Sequence, residues 1–151
     1  MKKNKGISIL EVLISIAILS ILGGLSISVF SRLSNSTSLD RDATITLSYI
    51  NKARTKAINS VNSTPHGIKL ETNKVSIFSG TSYLIANVED FYSIPYTASI
   101  SSINLSNAST ELYFNELTGT PSATGTITLS GTNTDTTKVI IIYATGLAEI
   151  Q

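Results

Sequence analysis

The chain contains no cysteine, so no disulfide framework and no thiolate metal site can form. It has one histidine, His66. A histidine cluster for a metal or a nucleophile relay therefore cannot be built, and the position between Pro65 and Gly67 reads as a loop. Basic residues are also scarce beyond the start. The net charge is +1, but Lys2, Lys3 and Lys5 supply three of the eleven cations. After Gly6, eight basic side chains face ten acidic ones, and Lys138 is the only cation beyond Lys74. No generally polyanion-seeking surface is indicated. No GxxxxGK[ST] or GxGxxG phosphate cradle occurs. Glu89 with Asp90, and Glu111 with Glu116, lack the looped Asp/Asn/Gly spacing of a calcium site and read as surface acids. These gaps lead to the expectation of no enzyme activity, no cofactor and no metal site.

What the chain does have is apolar: 42% of its residues are hydrophobic and 14% charged. Its length suits one compact domain plus an extended element. From Ile7 to Phe30 the only charged side chain is Glu11. As a helix rising about 1.5 Å per residue, this run would reach roughly 36 Å, enough for a hydrocarbon core of about 30 Å. The lysines before it favour a cytoplasmic N-terminus. A cleaved secretory signal would have a shorter apolar stretch and a small-x-small cleavage site. A plain anchor leaves Glu11 unexplained, because an acid at mid-membrane costs about 2.5–3.5 kcal/mol and usually marks function.

The stretch KKNKG followed by ISILEVLISIAILSIL, with Glu fifth after the glycine, resembles the class III signal of type IV prepilins and type II secretion pseudopilins. That resemblance implies cleavage between Gly6 and Ile7 by a prepilin peptidase and methylation of the new Ile7 amine. It also implies assembly with other pilin or pseudopilin subunits at an inner-membrane platform. The head would then lie outside the cytoplasm. A neighbouring subunit's Glu11 would face the new amine when helices pack with a stagger. At 4 Å and an effective dielectric near 20 the pair gains about 4 kcal/mol, comparable with the cost of holding the acid in lipid, so Glu11 acts as a register device. Many family members carry proline about 22 residues after the cleavage point. Here that position is Ser28, and Gly23 with Gly24 would loosen the helix instead.

From Ala43 the apolar positions Leu47, Ile50, Ala57, Ile58 and Val61 recur at helical steps, with Arg41, Lys52, Arg54 and Lys56 largely between them. No proline precedes Pro65. The pattern predicts one long helix from about Ile7 to Val61, weakened over the Ser/Asn-rich stretch 35–40 and ended by NSTPHG. IKLE and KVSIF, separated by Thr72 and Asn73, read as a hairpin. SYLIANV and IPYTASISSINLS fit strands or loops around a strand. ELYFNEL, TGTITLSG and KVIIIYATGLAEIQ read as strands separated by GTPSA and TNTDTT turns, with Gly146 in a final tight turn.

The expected class is α+β. A long helix, transmembrane and then amphipathic, would pack on a C-terminal antiparallel sheet that buries one face. The expected divisions are a leader at 1–6, a transmembrane and polymerisation helix at 7–30, its amphipathic continuation at 31–62 and a β-rich head at 67–151. YFNELTGTPSATGTITL, KVIIIYATGLAEI and the helical ARTKAINS resemble segments of GspH/FimT-like minor pilins and pseudopilins, which implies a pilin-like fold. The resemblance also permits capture of DNA by the head, as in some relatives that serve natural transformation. Any such contacts would fall on the helix cations and on Lys69 and Lys74 beside the first hairpin, with weak binding or none expected.

Overall fold

A computed structural model describes residues 8–83, 88–132 and 136–151, the stretch 25–36 by its backbone alone. The chain divides into two compact units, Met1–Ser34 and Asn35–Gln151. A single helix, α1 (Ile9–Ile58), contributes to both, and its helical backbone passes through Gly23, Gly24 and residues 35–40.

α1 ends where the backbone turns left-handed. Ser60 (φ 51°), Asn62 (φ 57°) and Ser63 (φ 51°) take conformations that no helix can continue. The end comes three residues before the expected Val61, which instead begins a single 3₁₀ turn, Val61–Ser63. The head's own backbone joins the cap, since Ala57 O in the last turn accepts both the Ser60 N–H (3.0 Å) and the Leu117 N–H (3.0 Å).

The second unit folds its strands into two antiparallel four-stranded sheets, where the sequence suggested one. The first contains β1 (His66–Glu71), β2 (Lys74–Ser79), β3 (Val88–Ser93) and β5 (Glu111–Phe114), in the order β3-β2-β1-β5. The second contains β4 (Ala98–Leu105), β6 (Gly125–Gly131), β7 (Thr137–Ile142) and β8 (Ala148–Ile150), in the order β4-β6-β7-β8. The β1–β2 hairpin falls where expected, with Glu71 opposite Lys74 across Thr72 and Asn73. That turn also ties the two sheets together, because the Ile94 N–H donates to Asn73 O (2.8 Å) and the Ile100 N–H to Thr72 O (2.7 Å). The SYLIANV and TNTDTT readings lie partly outside the described residues.

The core gathers the inward faces of both sheets and one seam of α1. Ile68, Leu70, Val75, Ile77, Leu112 and Phe114 come from the first sheet, and Ile100, Ile127, Leu129, Ile140 and Ile142 from the second. The helix seam is Leu39, Ala43, Thr46, Ile50, Ala53 and Ala57, all buried, at alternating steps of four and three. Leu47 and Ile58, which the pattern placed on this face, are only partly covered. Alanines carry little hydrophobic signal, yet they let a helix approach a sheet closely. Gly67 meets the same demand in β1, where an added Cβ would stand 2.4 Å from Phe78 Cζ and 2.6 Å from Leu112 O. Helix, then antiparallel strands: the architecture is α+β with the layout of a pilin-like fold.

Candidate assembly site

Gly6 and Ile7, the expected cleavage and methylation positions, lie outside the described residues. Just after them Ser8 precedes α1 in the N-cap position. The Leu10 N–H donates to Ser8 Oγ (3.4 Å), and the N–H groups of Glu11 and Val12 donate to Ser8 O (3.0 and 3.2 Å). Glu11 therefore sits in the first turn, where the positive end of the helix dipole favours a carboxylate. Ser8 and Glu11 have the S-x-x-E spacing of a capping box, a start signal legible in ISILE that the reading of Glu11 as a register device passed over.

Apart from that acid the exposed large side chains of this part of the helix are hydrocarbon. Ile9 is 81% exposed and Leu19 67%, and Leu10, Leu13, Ile14, Ile16, Ile18, Ile21 and Leu22 are also exposed. The hydroxyls in this stretch are turned back on the helix: Ser15 Oγ donates to Glu11 O (2.7 Å) and Ser20 Oγ to Ile16 O (2.8 Å). A helix apolar all round is stable only where apolar matter surrounds it. Among the described residues no helix is long and apolar enough to cross a membrane. The stretch 9–24 reaches roughly 24 Å at about 1.5 Å per residue, against a hydrocarbon core of about 30 Å.

The head's titratable groups are tied to one another. His66 is not a loop residue: it opens β1 and is fully buried. Its Nδ1 lies 3.0 Å from Thr64 O and its Nε2 3.3 Å from Glu89 Oε1, so both ring nitrogens face acceptors. The other Glu89 oxygen takes Lys56 Nζ at 2.5 Å. Burial pushes the Glu89 carboxyl up, but the Lys56 hydrogen bond and the charges of His66 and Lys56 outweigh it and hold the group below the usual carboxylate range. Asp90, next in sequence, takes Lys52 Nζ at 2.5 Å, and that bond holds its carboxyl low.

Two successive carboxylates cannot both face a helix from a regular strand. Here β3 is bulged: Ile77 pairs with Asp90 and Phe78 with Val88, leaving Glu89 as the extra residue. Nothing in VEDFYS announces that bulge.

The remaining site residues are similarly engaged. Lys69 pairs with Glu111 (3.3 Å) and stands 5.7 Å from the centre of the Tyr83 ring. Lys74 pairs with Glu71 (3.9 Å) and stands 5.1 Å from the centre of the Phe91 ring. Glu116 accepts from the Ser60 hydroxyl. Lys138 reaches Asp40 (2.9 Å). Asp42, buried in the helix seam, accepts from Tyr92 OH at 2.7 Å. Burial and that bond push the Tyr92 phenol up to about 12. Among the described residues no group of three or more His, Cys, Asp or Glu side chains is placed to hold a metal ion.

Residues 1–27 match the family model of the prokaryotic N-terminal methylation motif. Taken with the exposed apolar helix and its first-turn acid, the match indicates a type IV pilin-like prepilin, a class of structural subunits cut by a prepilin peptidase and assembled with other pilins. No curated protein matches the chain. No solved structure matches it either.

Proposed function

We propose that this chain is a minor pilin or pseudopilin of the GspH/FimT-like kind, a non-enzymatic subunit of a type IV pilus or type II secretion pseudopilus. The methylation motif over residues 1–27 carries the reading. The peptidase cuts between Gly6 and Ile7, the new Ile7 amine is methylated, and the apolar helix crosses the inner membrane until the subunit enters a fibre. Residues 7–30 serve as the membrane and polymerisation segment, residues 31–62 as its amphipathic continuation and 67–151 as the head. Glu11 meets the Ile7 amine of a neighbouring subunit and sets the stagger between helices. Its carboxylate has no hydrogen bond or ion pair with another described side chain, which leaves it free for such a partner.

The alternative, a DNA-capturing head, gains no support from the cations. Lys52, Lys56, Lys69, Lys74 and Lys138 are all paired with carboxylates, and Arg54 is spent on backbone carbonyls. A phosphate backbone would have to displace those partners before binding.

Intact mass spectrometry of membrane-extracted protein tests the processing. The expected mass is that of a chain starting at a methylated Ile7; a chain retaining Lys5, or one cut beyond Leu22, contradicts it. Replacing Glu11→Leu tests the assembly. Membrane insertion should be unchanged or improved, since an acid leaves lipid, while recovery in sheared fibres falls. Equal fibre recovery would remove Glu11 from the register role.

A further inference from the structure

Asp42 is the one buried ionisable side chain that α1 contributes among the described residues, 2% exposed in the seam that faces the sheets. A carboxylate withdrawn from water is costly unless donors meet its oxygens. Tyr92 OH meets Oδ1 at 2.7 Å, while Oδ2 has no hydrogen-bond partner among the described residues. One turn further along, Thr46 is fully buried and its hydroxyl is unpartnered too. Two orphaned oxygens therefore share one stretch of the core.

Other threonines of α1 show what Thr46 does not do. Thr44 Oγ1 donates to Asp40 O and Thr55 Oγ1 to Asn51 O, each at 2.8 Å and four residues back, a bond that satisfies the hydroxyl within the helix. The equivalent bond from Thr46 to Asp42 O is not made. Its hydroxyl is left to pair inside the seam. Residues four apart on a helix stand about 5–6 Å from each other at Cβ, so Asp42 and Thr46 are next neighbours on the buried face, yet no direct bond joins Oδ2 to the hydroxyl. A water about 2.8 Å from each oxygen closes such a gap. It would accept from the Thr46 hydroxyl and donate to Asp42 Oδ2, as buried waters do for polar groups left in this state.

We propose that Asp42 and Thr46 hold one buried water in the α1 seam beside Tyr92, and that this polar seat fixes the register of the helix on the head. The inference is independent of the fibre-subunit reading. Around the seat the seam is Leu39, Ala43 and Ile50, side chains without directional bonds. Carboxylate, hydroxyl, phenol and water satisfy one another in a single register. A shift of α1 by one turn, about 5.4 Å, takes Asp42 away from Tyr92 and leaves a charge buried without a donor. The small polar cluster thus selects among packings that the surrounding hydrocarbon tolerates.

The full chain in detergent, with Thr46→Val and Thr46→Ser beside it, tests the seat. Valine keeps the shape of threonine and removes the hydroxyl. If that hydroxyl is a true orphan, valine relieves a buried unsatisfied group and the melting temperature rises. If it holds the water, valine strands both the water and Asp42 Oδ2, and the melting temperature should fall by about 3–6 °C. A crystal structure of the unmodified chain should show one ordered water within about 3 Å of Asp42 Oδ2 and Thr46 Oγ1. Thr46→Ser, which keeps the hydroxyl, should keep that water, and Thr46→Val should lose it. An equal or higher melting temperature for Thr46→Val overturns the seat. So does a structure in which the two oxygens bond directly or no water lies between them, and that structure decides the matter even if the valine chain fails to fold.

Discussion

Leu13 and Leu39 lie on the same helix, α1, yet one is 61% exposed and the other 1%. The contrast divides the molecule. In Asn35–Gln151 the aliphatic seam of α1 is matched by two sheets of the same chain, and Ile50, Ile68, Ile127 and Ile140 are fully buried. In Met1–Ser34 the described large aliphatic side chains, from Ile9 to Leu22, are exposed. The head's hydrophobic free energy is realised within one molecule. The exposed apolar surface of the N-terminal segment gains such free energy only when other apolar matter covers it, the use that the proposed function assigns to it.

The sharpest way to break this comparison is to truncate one large side chain in each region. Phe114→Ala in the head should destabilise it by about 3–5 kcal/mol through the cavity left behind, seen as a lower denaturation midpoint of the detergent-solubilised chain. Leu13→Ala should leave that midpoint unchanged. A drop of similar size from Leu13→Ala would show that the segment is folded against the head.

Polar contacts give a smaller effect. Glu89→Gln removes the charge that joins Lys56 to His66 and should cost about 1–3 kcal/mol near neutral pH. The folded carboxyl of Glu89 lies below its unfolded value, so its contribution is present above roughly pH 4–5 and is lost as pH falls through the folded value. The variant's acid unfolding should therefore be flatter than that of the unmodified chain. Circular-dichroism melts across that range measure both; an identical acid limb would detach Glu89 from the head's stability.

The smallest expected signal comes from Tyr92. Its phenol is raised to about 12, so the stability it contributes is intact below about pH 10 and declines as pH rises through about 12. In an absorbance titration, Tyr92→Phe should delete a tyrosine that ionises late. Loss of one that ionises near pH 10 would show that the Asp42 contact does not form.

Much of this was legible locally. MKKNKGISILE places charge, glycine, apolar run and acid at fixed spacings, and spacing along a chain is what a one-dimensional signal preserves. The β1–β2 hairpin, β6, β7 and the Gly146 turn were equally local, each a short alternating run bounded by turn residues. The helix seam was read only in part, because Ala53 and Thr46 count for little on a hydropathy scale and matter through their small size at a close helix–sheet contact. His66 was misplaced for a related reason: Pro65 and Gly67 signal a turn, but Gly67 is there to admit the Phe78 ring, and the histidine between them starts a strand.

The sequence by itself determined the methylation motif, the α+β class and the apolar character of the N-terminal segment. Each depends on residues near one another in the chain. Tertiary structure alone decided that the strands divide into two sheets, that a bulge turns Glu89 and Asp90 together toward the helix, and that Arg54 reaches the carbonyls of Gly119 and Thr145. Those outcomes depend on pairings between residues tens of positions apart. Their energies exist only once the chain has closed on itself, so no local window contains them.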